Sequence, residues 1–421
     1  MSVELVVFGL GYVGLPLAQE AARAGIQVRG FDPSSAVVEG LNGGKSHVDD
    51  LSDDEIGQML AGGFRATSDI SSLAGARTAV ICVPTPLSAD GGPDLGAVFA
   101  ASRSVAQILE PGMLVVLEST TYPGTTDGPV RGILEAGGLV AGEDFFLAFS
   151  PERIDPGNAQ FGMKNTPKVV GGINGASTDM AAEFYERFVD TVVRAAGTRE
   201  AETAKLLENT YRHVNIALVN EMARFCHELD IDLWNVIDLA KTKPFGFQAF
   251  YPGPGVGGHC IPIDPNYLSH RVKEELGYPF RFVELAQEVN ITMPAYVAQR
   301  AQDLLNDEGK ATRGARVLLL GVTYKPDIAD QRESPAVPLA RLLRNKGADV
   351  CFHDPHVERW NVDSDCVYSR VDDLDEAVRH ADLVILVQNH RAYDPNALAA
   401  AAPLFFDTRG TTDPDGPAHR L

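Results

Sequence analysis

A glycine-rich turn close to the amino terminus limits the possible folds more than any other stretch of the chain. The apolar run 3–8 has the length of a buried strand, and Gly9-Leu-Gly11-Tyr12-Val13-Gly14 and a helical pattern follow it directly. In this strand–turn–helix context the G-x-G-x-x-G spacing predicts a dinucleotide-binding unit, because the glycines let a pyrophosphate lie against the amino end of the helix. A glycine-rich turn that binds nothing is the simpler alternative.

The next apolar run, 27–31, ends in an acid, Asp32. A carboxylate at this point can bind the ribose hydroxyls of a dinucleotide and would repel a 2′-phosphate. The sequence therefore favours NAD over NADP.

Three further apolar runs of strand length, 79–83, 113–117 and 145–149, each end in polar residues. Ligands of open α/β sheets bind at the carboxyl ends of the strands, so these residues form a candidate site. Any one of them alone is also explained as an ordinary turn or cap residue. The strand ends read Val83-Pro84-Thr85-Pro86, Glu118-Ser119-Thr120 and Ser150-Pro-Glu152-Arg153.

A long helical stretch follows in the middle of the chain. Residues 201–229 lack glycine and proline and are predicted to form one helix, with a second helix over 234–241. Lys205 and Asn209 are four residues apart, so they project from one face and can donate hydrogen bonds to a developing oxyanion. Taken alone, the spacing favours two solvated side chains. The length of the helix also suggests a spine between domains and a subunit interface.

The segment Tyr251-Pro-Gly-Pro-Gly255-Val-Gly257-Gly258-His-Cys260-Ile-Pro-Ile-Asp264-Pro is too rich in glycine and proline for a helix or a strand interior. It predicts a stiff loop whose backbone N–H groups can bind an anion. Cys260 and Asp264 would present a nucleophile and a base beside a negatively charged substrate. A tight turn with a buried, inert cysteine is the alternative.

The carboxy-terminal part repeats the pattern of the amino-terminal part. A mainly helical stretch, 282–305, is expected to break near Pro294, and 311–315 has the composition of a linker. The run 316–320 then ends at Gly321, and the run 348–353 ends at Asp354-Pro, as 27–31 ends at Asp32-Pro. This repetition predicts a second Rossmann-like domain. Its side chains are expected to bind a different phosphorylated ligand, through the loop Gly321-Val-Thr-Tyr324-Lys325 and Arg332. The tail from residue 411 is expected to be loose.

The order of these elements predicts an α/β protein. Two Rossmann-like doubly wound parallel-sheet domains, 1–198 and 306–421, are expected to be joined by a long central helix and an all-α middle domain, 199–305.

Charge and cysteine usage exclude several classes of partner. A net charge of −21 argues against nucleic acid and anionic membranes as general partners. The five cysteines are scattered, with no zinc-like spacing, so no metal is expected and a reducing cytoplasm is favoured. No signal-like segment and no apolar run of membrane-spanning length are seen.

These motifs together resemble the UDP-glucose/GDP-mannose dehydrogenase family, the nucleotide-sugar 6-dehydrogenases. The resemblance runs over nearly the whole chain, from Val3 to Arg409. The cysteine loop and the segment Lys241-Thr-Lys-Pro-Phe-Gly-Phe247 look most like the UDP-N-acetylglucosamine 6-dehydrogenase branch. His259 departs from the serine usual in the UDP-glucose branch. An arginine that some relatives supply across the dimer has no clear match in this sequence, where Lys241 and Lys243 are the candidates to replace it.

The resemblance implies a four-electron oxidation of C6 of a UDP-sugar, with two NAD per turnover. It also implies a thiohemiacetal and a thioester on Cys260 as intermediates. The expected assembly is a homodimer or higher homo-oligomer formed through the central helix. The catalytic residues implied are Cys260, Lys205, Asn209, Asp264, Thr120 and Glu152. The cofactor-binding residues implied are Gly9, Gly11, Tyr12, Val13, Gly14, Asp32, Val83, Pro84, Thr85, Ser119, Thr120 and Arg332. The substrate-binding residues implied are Glu152, Arg153, Lys205, Asn209, Phe250, Tyr251, Gly255, Gly257, Gly258, Tyr324 and Lys325.

Other functions remain open at this point. A two-electron dehydrogenase of a 3-hydroxy acid or a phosphosugar shares the amino-terminal pattern but has no use for Cys260. A non-catalytic NAD- or UDP-sugar-binding protein would turn over neither ligand. Within the family, UDP-N-acetylmannosamine, UDP-glucose and UDP-galactose are alternative substrates.

Overall fold

The structure is a computed structural model that describes residues 3–48, 51–88, 92–154, 160–258, 261–363 and 366–421. The chain divides into two compact units. The amino-terminal unit comprises Met1–Glu208 and Asn266–Gly277, and the carboxy-terminal unit comprises Asn209–Pro265 and Tyr278–Leu421. The division into three domains at residues 198 and 305 remains a prediction.

One eight-stranded sheet forms the centre of the amino-terminal unit. Its strands are β1 (Leu5–Phe8), β2 (Val28–Phe31), β3 (Arg65–Thr67), β4 (Thr78–Ile81), β5 (Leu114–Leu117), β6 (Phe146–Phe149), β7 (Lys168–Gly172) and β8 (Val192–Arg194). They lie in the order β3-β2-β1-β4-β5-β6-β7-β8, and only β6 and β7 pair antiparallel. The predicted strands are confirmed, whereas β3, β7 and β8 are additions that the sequence pattern did not reveal.

The helices are α1 (Gly14–Arg23), α2 (Ser35–Asn42), α3 (Asp53–Ala61), α4 (Gly96–Ile108), α5 (Arg131–Glu135), α6 (Gly175–Tyr185), α7 (Thr198–Glu228), α8 (Leu233–Ala240), α9 (Asp264–Leu276), α10 (Arg281–Asp307), α11 (Ala336–Asn345), α12 (Leu374–His380) and α13 (Pro395–Ala401). The long helix predicted over 201–229 is α7, and α8 is the shorter helix that follows it. Among the described residues, no helix has both the length and the apolar composition needed to span a membrane.

Alternation along β1 shows why helices cover both faces of this sheet. Leu5 and Val7 pack in one core with α1, α3 and α6. Val6 and Phe8 pack in a second core with α4, α5 and the start of α7. Burial on both faces makes the strands continuously apolar, as expected for a parallel sheet.

The carboxy-terminal unit contains a smaller parallel sheet and a hairpin. The sheet strands are β9 (Arg316–Leu320), β10 (Asp349–His353), β13 (Leu383–Leu386), β14 (Phe405–Asp407) and β15 (His419–Arg420), and the hairpin pairs β11 (Arg359–Asp363) with β12 (Cys366–Ser369). The sheet order is β10-β9-β13-β14-β15. Helices α10 and α11 pack on one face, and α12 and α13 pack on the other.

The predicted duplication is visible in the backbone hydrogen bonds at the first strand of each sheet. Gly9 N–H donates to Phe31 O at 2.9 Å, and Leu10 N–H donates to Asp32 Oδ2 at 3.2 Å. In the second sheet, Gly321 N–H donates to His353 O at 2.9 Å, and Val322 N–H donates to Asp354 Oδ2 at 2.7 Å. Both units therefore use an acid after the second strand to hold the turn after the first.

Two expectations about the carboxy-terminal unit are wrong. Helix α10 runs through Pro294 without a break, because a single proline removes one backbone hydrogen bond while the buried neighbours Met293 and Val297 keep the helix packed. The tail is not loose, because Asp407 Oδ2 accepts the N–H groups of Thr411 and Thr412 at 2.7 and 2.8 Å, and β15 pairs with β14.

The turn glycine of the second sheet provides a test of this packing. Gly321 has a φ of 75°, and a Cβ there would lie 2.3 Å from Gln388 O, whereas Gly309 has a φ of 71° and open space around a Cβ. Gly309→Ala should therefore lower the free energy of unfolding by about 1 kcal/mol through backbone strain alone. Gly321→Ala should lower it by about 2 kcal/mol more because of the clash.

Urea unfolding followed by tryptophan fluorescence measures this difference, since both tryptophans, Trp234 and Trp360, belong to the carboxy-terminal unit. Equal losses in the two variants would show that the close approach at Gly321 is absent.

Candidate active site

The glycine turn after β1 has the geometry of a dinucleotide cradle. A Cβ at Gly14 would lie 2.0 Å from Gly9 O, so the turn can close only with glycine there. A Cβ at Gly11 would meet nothing within 4 Å, which leaves the backbone open to a ligand on that side. Tyr12 and Val13 pack against the core beneath the turn. The arrangement fits a pyrophosphate lying on the turn at the start of α1.

Asp32 connects this turn to the end of β2. Besides Leu10 N–H, its carboxylate accepts Ser34 N–H at 2.9 Å, and the side chain is half-buried. Its position at the end of the second strand is the one at which an acid binds ribose hydroxyls.

The ends of β4 and β5 are joined by a side chain. Ser119 Oγ accepts Val83 N–H at 2.9 Å and donates to Val83 O at 2.7 Å. Tyr267 of α9 donates its hydroxyl to Thr85 O. Pro84 is exposed, and Thr120 is half-buried next to Ser119. The structure thus brings the predicted cofactor residues of both strands to one edge of the sheet.

The end of β6 is bound to α7. Lys205 Nζ donates to Glu152 O at 2.6 Å, and Lys205 is 8% exposed. Arg153 donates to Glu208 at 2.6 Å and to Pro167 O at 2.8 Å, so its guanidinium forms an ion pair inside the amino-terminal unit. Glu152 is buried, and its Oε1 accepts the N–H groups of Arg153 and Ile154.

Lys168 and the neighbouring Tyr185, which both lie at this edge, were missed by the sequence analysis. Lys168 begins β7, and its Nζ lies 2.9 Å from Glu118 Oε2 and 3.4 Å from Glu152 Oε2. Tyr185 at the end of α6 donates its hydroxyl to Glu118 Oε1. Glu118 was noted only as part of a motif, and a single lysine before an apolar run carries no signal of a buried ion pair.

The pKa values of the two carboxyl groups in this cluster shift in opposite directions. Burial raises the pKa of Glu118, and Lys168 only partly offsets that effect. Burial also acts to raise the pKa of Glu152, but Lys168, the backbone N–H groups and Lys205 outweigh it, so the pKa lies below its usual range. Burial alone would lower the pKa of Lys168, yet the two carboxylates raise it. Glu152 is therefore the group of the pair that ionises first.

In the carboxy-terminal unit, Asn209 Nδ2 donates to Asp264 Oδ2 at 2.5 Å. Both side chains are buried, at 5% and 3% exposure. Asp264 is the first residue of α9 rather than a loop residue. Cys260 and His259 lie outside the described residues, so the role of the cysteine stays a prediction.

The glycine-rich loop packs closely on Tyr324. A Cβ at Gly257 would lie 2.7 Å from Tyr324 Cβ, and one at Gly258 would lie 2.8 Å from its ring. Gly255 has a φ of 141°, which disfavours any other residue. Gly253 N–H donates to Asn220 Oδ1 at 2.9 Å, so this amide is used within the protein rather than open to an anion.

The aromatic residues before the loop rest on α7 and α8. Phe250 meets Tyr211 edge to face, and Tyr251 stacks on Trp234. Lys241 pairs with Asp238 at 2.5 Å and lies 3.4 Å from the Tyr251 hydroxyl.

The basic residues after β9 are placed on a loop of the carboxy-terminal unit. Arg332 is exposed and binds Asp330 through two hydrogen bonds of 2.8 and 2.6 Å. Lys325 is half-buried, and its carbonyl accepts the Thr323 hydroxyl at 2.8 Å. Their roles in binding remain predictions.

Within the described ranges, Asp327, His356 and His390 have the spacing of a metal site. His390 Nδ1 accepts Asp327 N–H at 2.9 Å, and its Nε2 lies 3.0 Å from Asp354 Oδ2. Asp327 also pairs with Arg391 at 2.7 Å. Because both nitrogens of His390 are used, the cluster is organised as a hydrogen-bond network.

Family models for the UDP-glucose/GDP-mannose dehydrogenase family match most of the chain. Its NAD binding domain matches residues 3–189, its central domain matches 199–292, and its UDP binding domain matches 318–414. The chain belongs to this family. It is therefore an NAD-dependent UDP-sugar dehydrogenase, an oxidoreductase that acts on CH–OH groups, and the recognition made from the motifs is confirmed.

Relatives in the family act on different sugars. The chain is 34% identical over 390 residues to the UDP-N-acetyl-D-mannosamine dehydrogenase of Pyrococcus horikoshii, covering 92% of this chain and 90% of the relative. It is 33% identical over 393 residues to the UDP-N-acetyl-D-glucosamine 6-dehydrogenase of Salmonella typhi, covering 93% and 91%. The solved structure of the Pyrococcus horikoshii UDP-D-ManNAc dehydrogenase superimposes with a TM-score of 0.89 at 31% identity over 99% of both chains.

Asp32 should determine the choice of cofactor. We expect the wild-type enzyme to prefer NAD over NADP by at least about 100-fold, because a 2′-phosphate would meet the carboxylate. In Asp32→Ala the preference should fall by about tenfold or more. Ratios of kcat/KM for the two cofactors measure this effect.

Asp69→Ala is the matched control, since it removes an acid that follows the neighbouring strand β3 and should leave the ratio unchanged. A wild-type enzyme that uses NADP as well as NAD would refute the assignment.

Proposed function

We propose that this enzyme oxidises C6 of a UDP-N-acetylhexosamine from the alcohol to the carboxylate. The observation that carries the proposal is the burial of Lys205 and Asn209, each of which is hydrogen-bonded to another polar group. A solvated pair on a helix surface, which the spacing alone favoured, would be exposed. Buried donors held in fixed positions are what the stabilisation of an oxyanion requires.

The proposed reaction removes four electrons from one sugar. NAD would be held by the turn from Gly9 to Gly14 and by Asp32, and it would supply the hydride acceptor for C6, with two NAD used per turnover. After the first step, the Cys260 thiolate adds to the aldehyde and forms a thiohemiacetal. Loss of the second hydride gives a thioester, and water cleaves it to the carboxylate and the free thiol. Covalent capture keeps the aldehyde in place between the two oxidations.

Each polar residue has a role in this sequence. Lys205 and Asn209 stabilise oxyanions, and the charge of Lys205 favours the Cys260 thiolate. Asp264, which accepts a hydrogen bond from Asn209, fixes the orientation of that amide and orients water or acts as a base, with Thr120 assisting. Glu152 acts as a general base in hydrolysis, because its neighbours offset the effect of burial on its pKa and leave a carboxylate that can accept a proton.

The nucleotide and the sugar are assigned from different features. The glycine-rich loop from Tyr251 to Gly258, together with Lys325 and Arg332, holds the UDP diphosphate. For the sugar, the motif resemblance favours UDP-N-acetylglucosamine. The names of the relatives support UDP-N-acetylmannosamine about equally, and UDP-glucose is the less favoured alternative.

Surface chemistry supports a homodimer formed through the central helix. On α7, Tyr211, Leu218 and Phe225 are each at least 45% exposed and repeat at about helical spacing. Apolar side chains of this size along one helix favour a covered surface.

The described cysteines are all free thiols, which supports a cytoplasmic location; they are Cys82, Cys226, Cys351 and Cys366.

The number of NADH molecules formed per sugar tests the reaction class. Purified enzyme should be incubated with excess NAD and a limiting amount of each UDP-sugar, with products read by mass. We expect two NADH per sugar. The product should be a uronic acid about 14 mass units heavier than the sugar, because two hydrogens are replaced by one oxygen. The N-acetylated sugars should react faster than UDP-glucose.

Each rival function gives a different result. One NADH per sugar would indicate a two-electron dehydrogenase, and none would indicate a binding protein. A clear preference for UDP-glucose would overturn the assignment to N-acetylated sugars while leaving the four-electron reaction in place.

A further inference from the structure

A buried cluster of Glu118, Glu152 and Lys168 lies at the edge formed by β5, β6 and β7. Of these three residues, only Glu152 has a role in the proposed reaction. Lys168 Nζ lies between Glu118 and Glu152, at 2.9 and 3.4 Å from their Oε2 atoms. The three side chains are only 4%, 0% and 11% exposed. A lysine buried this deeply needs counter-charges within contact distance, and here it has two.

Both oxygen atoms of the Glu152 carboxylate are held by neighbouring groups. Its Oε1 accepts two backbone N–H groups, from Arg153 and Ile154, and its Oε2 faces Lys168. A carboxylate oxygen has two lone pairs, so the ammonium group leaves Oε2 able to accept a proton from water. Lys205 approaches the same residue from α7 but binds its carbonyl oxygen, not its carboxylate.

Lys168 in turn is fixed by groups from two other elements. Glu118 follows β5 and provides the closer counter-charge, and Tyr185 of α6 holds Glu118 by donating its hydroxyl to the other carboxylate oxygen. Lys168 also lies over the Tyr185 ring, 5.3 Å from its centroid. The Cys82 thiol faces the same charges, and burial with Glu118 raises its pKa, so it stays neutral.

We propose that Lys168 is a positioning residue that aims the Glu152 carboxylate and keeps it ionised for the hydrolysis step, and that Glu118 and Tyr185 hold Lys168 in its buried site. This inference rests on the role proposed above for Glu152. The ammonium group of Lys168 is a structural charge: it takes no part in proton transfer. Its removal would leave two buried carboxylates facing each other, so Glu152 would take up a proton at a higher pH.

The pH dependence of turnover separates this role from simple support of the fold. Lys168→Met should shift the acidic limb of the kcat profile upward by about one pH unit or more, so that activity relative to the alkaline plateau falls about tenfold at pH values on that limb. Lys168→Arg keeps the charge and should restore the wild-type limb. Glu118→Gln removes the negative charge that repels the Glu152 carboxylate but keeps a side-chain oxygen that can accept hydrogen bonds from Lys168 and Tyr185, so it should not shift the limb upward.

Folding of each variant is checked by circular dichroism and by NAD binding. Should Lys168→Met not fold, the double variant Glu118→Gln/Lys168→Met removes both charges of the ion pair and should still shift the limb upward, though by less than Lys168→Met, because the attraction of Lys168 is lost without repulsion from Glu118. The proposal is overturned if folded Lys168→Met or the double variant loses the same factor at every pH, or if Glu118→Gln shifts the limb upward as far as Lys168→Met does.

Glu152→Gln distinguishes failure of this inference from failure of the proposed role of Glu152. Wild-type turnover in Glu152→Gln would overturn both. Slow turnover in Glu152→Gln with an unshifted limb in Lys168→Met would overturn only the positioning role of Lys168.

Discussion

The structure depends on parallel strands that end at a common edge. In the amino-terminal unit β1, β4, β5 and β6 are neighbours and run parallel, so the residues that follow them converge. The turn from Gly9 to Gly14, Val83, Ser119 and Glu152 are all placed by this one constraint. The second sheet repeats it, with Gly321 and Asp354 in the positions of Gly9 and Asp32.

Helix α7 is held to the same edge by buried polar contacts. The Glu202 carboxylate accepts the N–H groups of Gly124 and Thr126 at 2.7 and 3.0 Å, and burial raises the pKa of Glu202 to about 7. One turn later, Lys205 binds Glu152 O. These contacts fix the rotation of the helix about its axis. The fixed rotation decides which side chains of α7 face inward, and this is why Lys205 is buried rather than solvated.

Sequence patterns predicted the fold well where local chemistry alone decides it. Apolar runs gave the strands, and the absence of glycine and proline gave α7. The patterns failed at Pro294 and in the tail after residue 411, where tertiary packing outweighs local preference. The cluster around Lys168 could not be predicted, because its partners are distant in sequence and meet only through the strand order. The burial of Lys205 and Asn209 likewise appears only when α7 is packed, although the family motif had pointed to both residues.

The central claim is that Cys260 forms a covalent bond with the sugar, and intact-mass analysis of Cys260→Ser tests it most directly. A serine alkoxide forms less readily than a thiolate, and an ester hydrolyses more slowly than a thioester, so a sugar–protein adduct should accumulate in the presence of UDP-sugar and NAD. Cys260→Ala is the matched control and should bind UDP-sugar, form no adduct and make no carboxylate. Production of the carboxylate by Cys260→Ala at the wild-type rate would contradict the covalent mechanism.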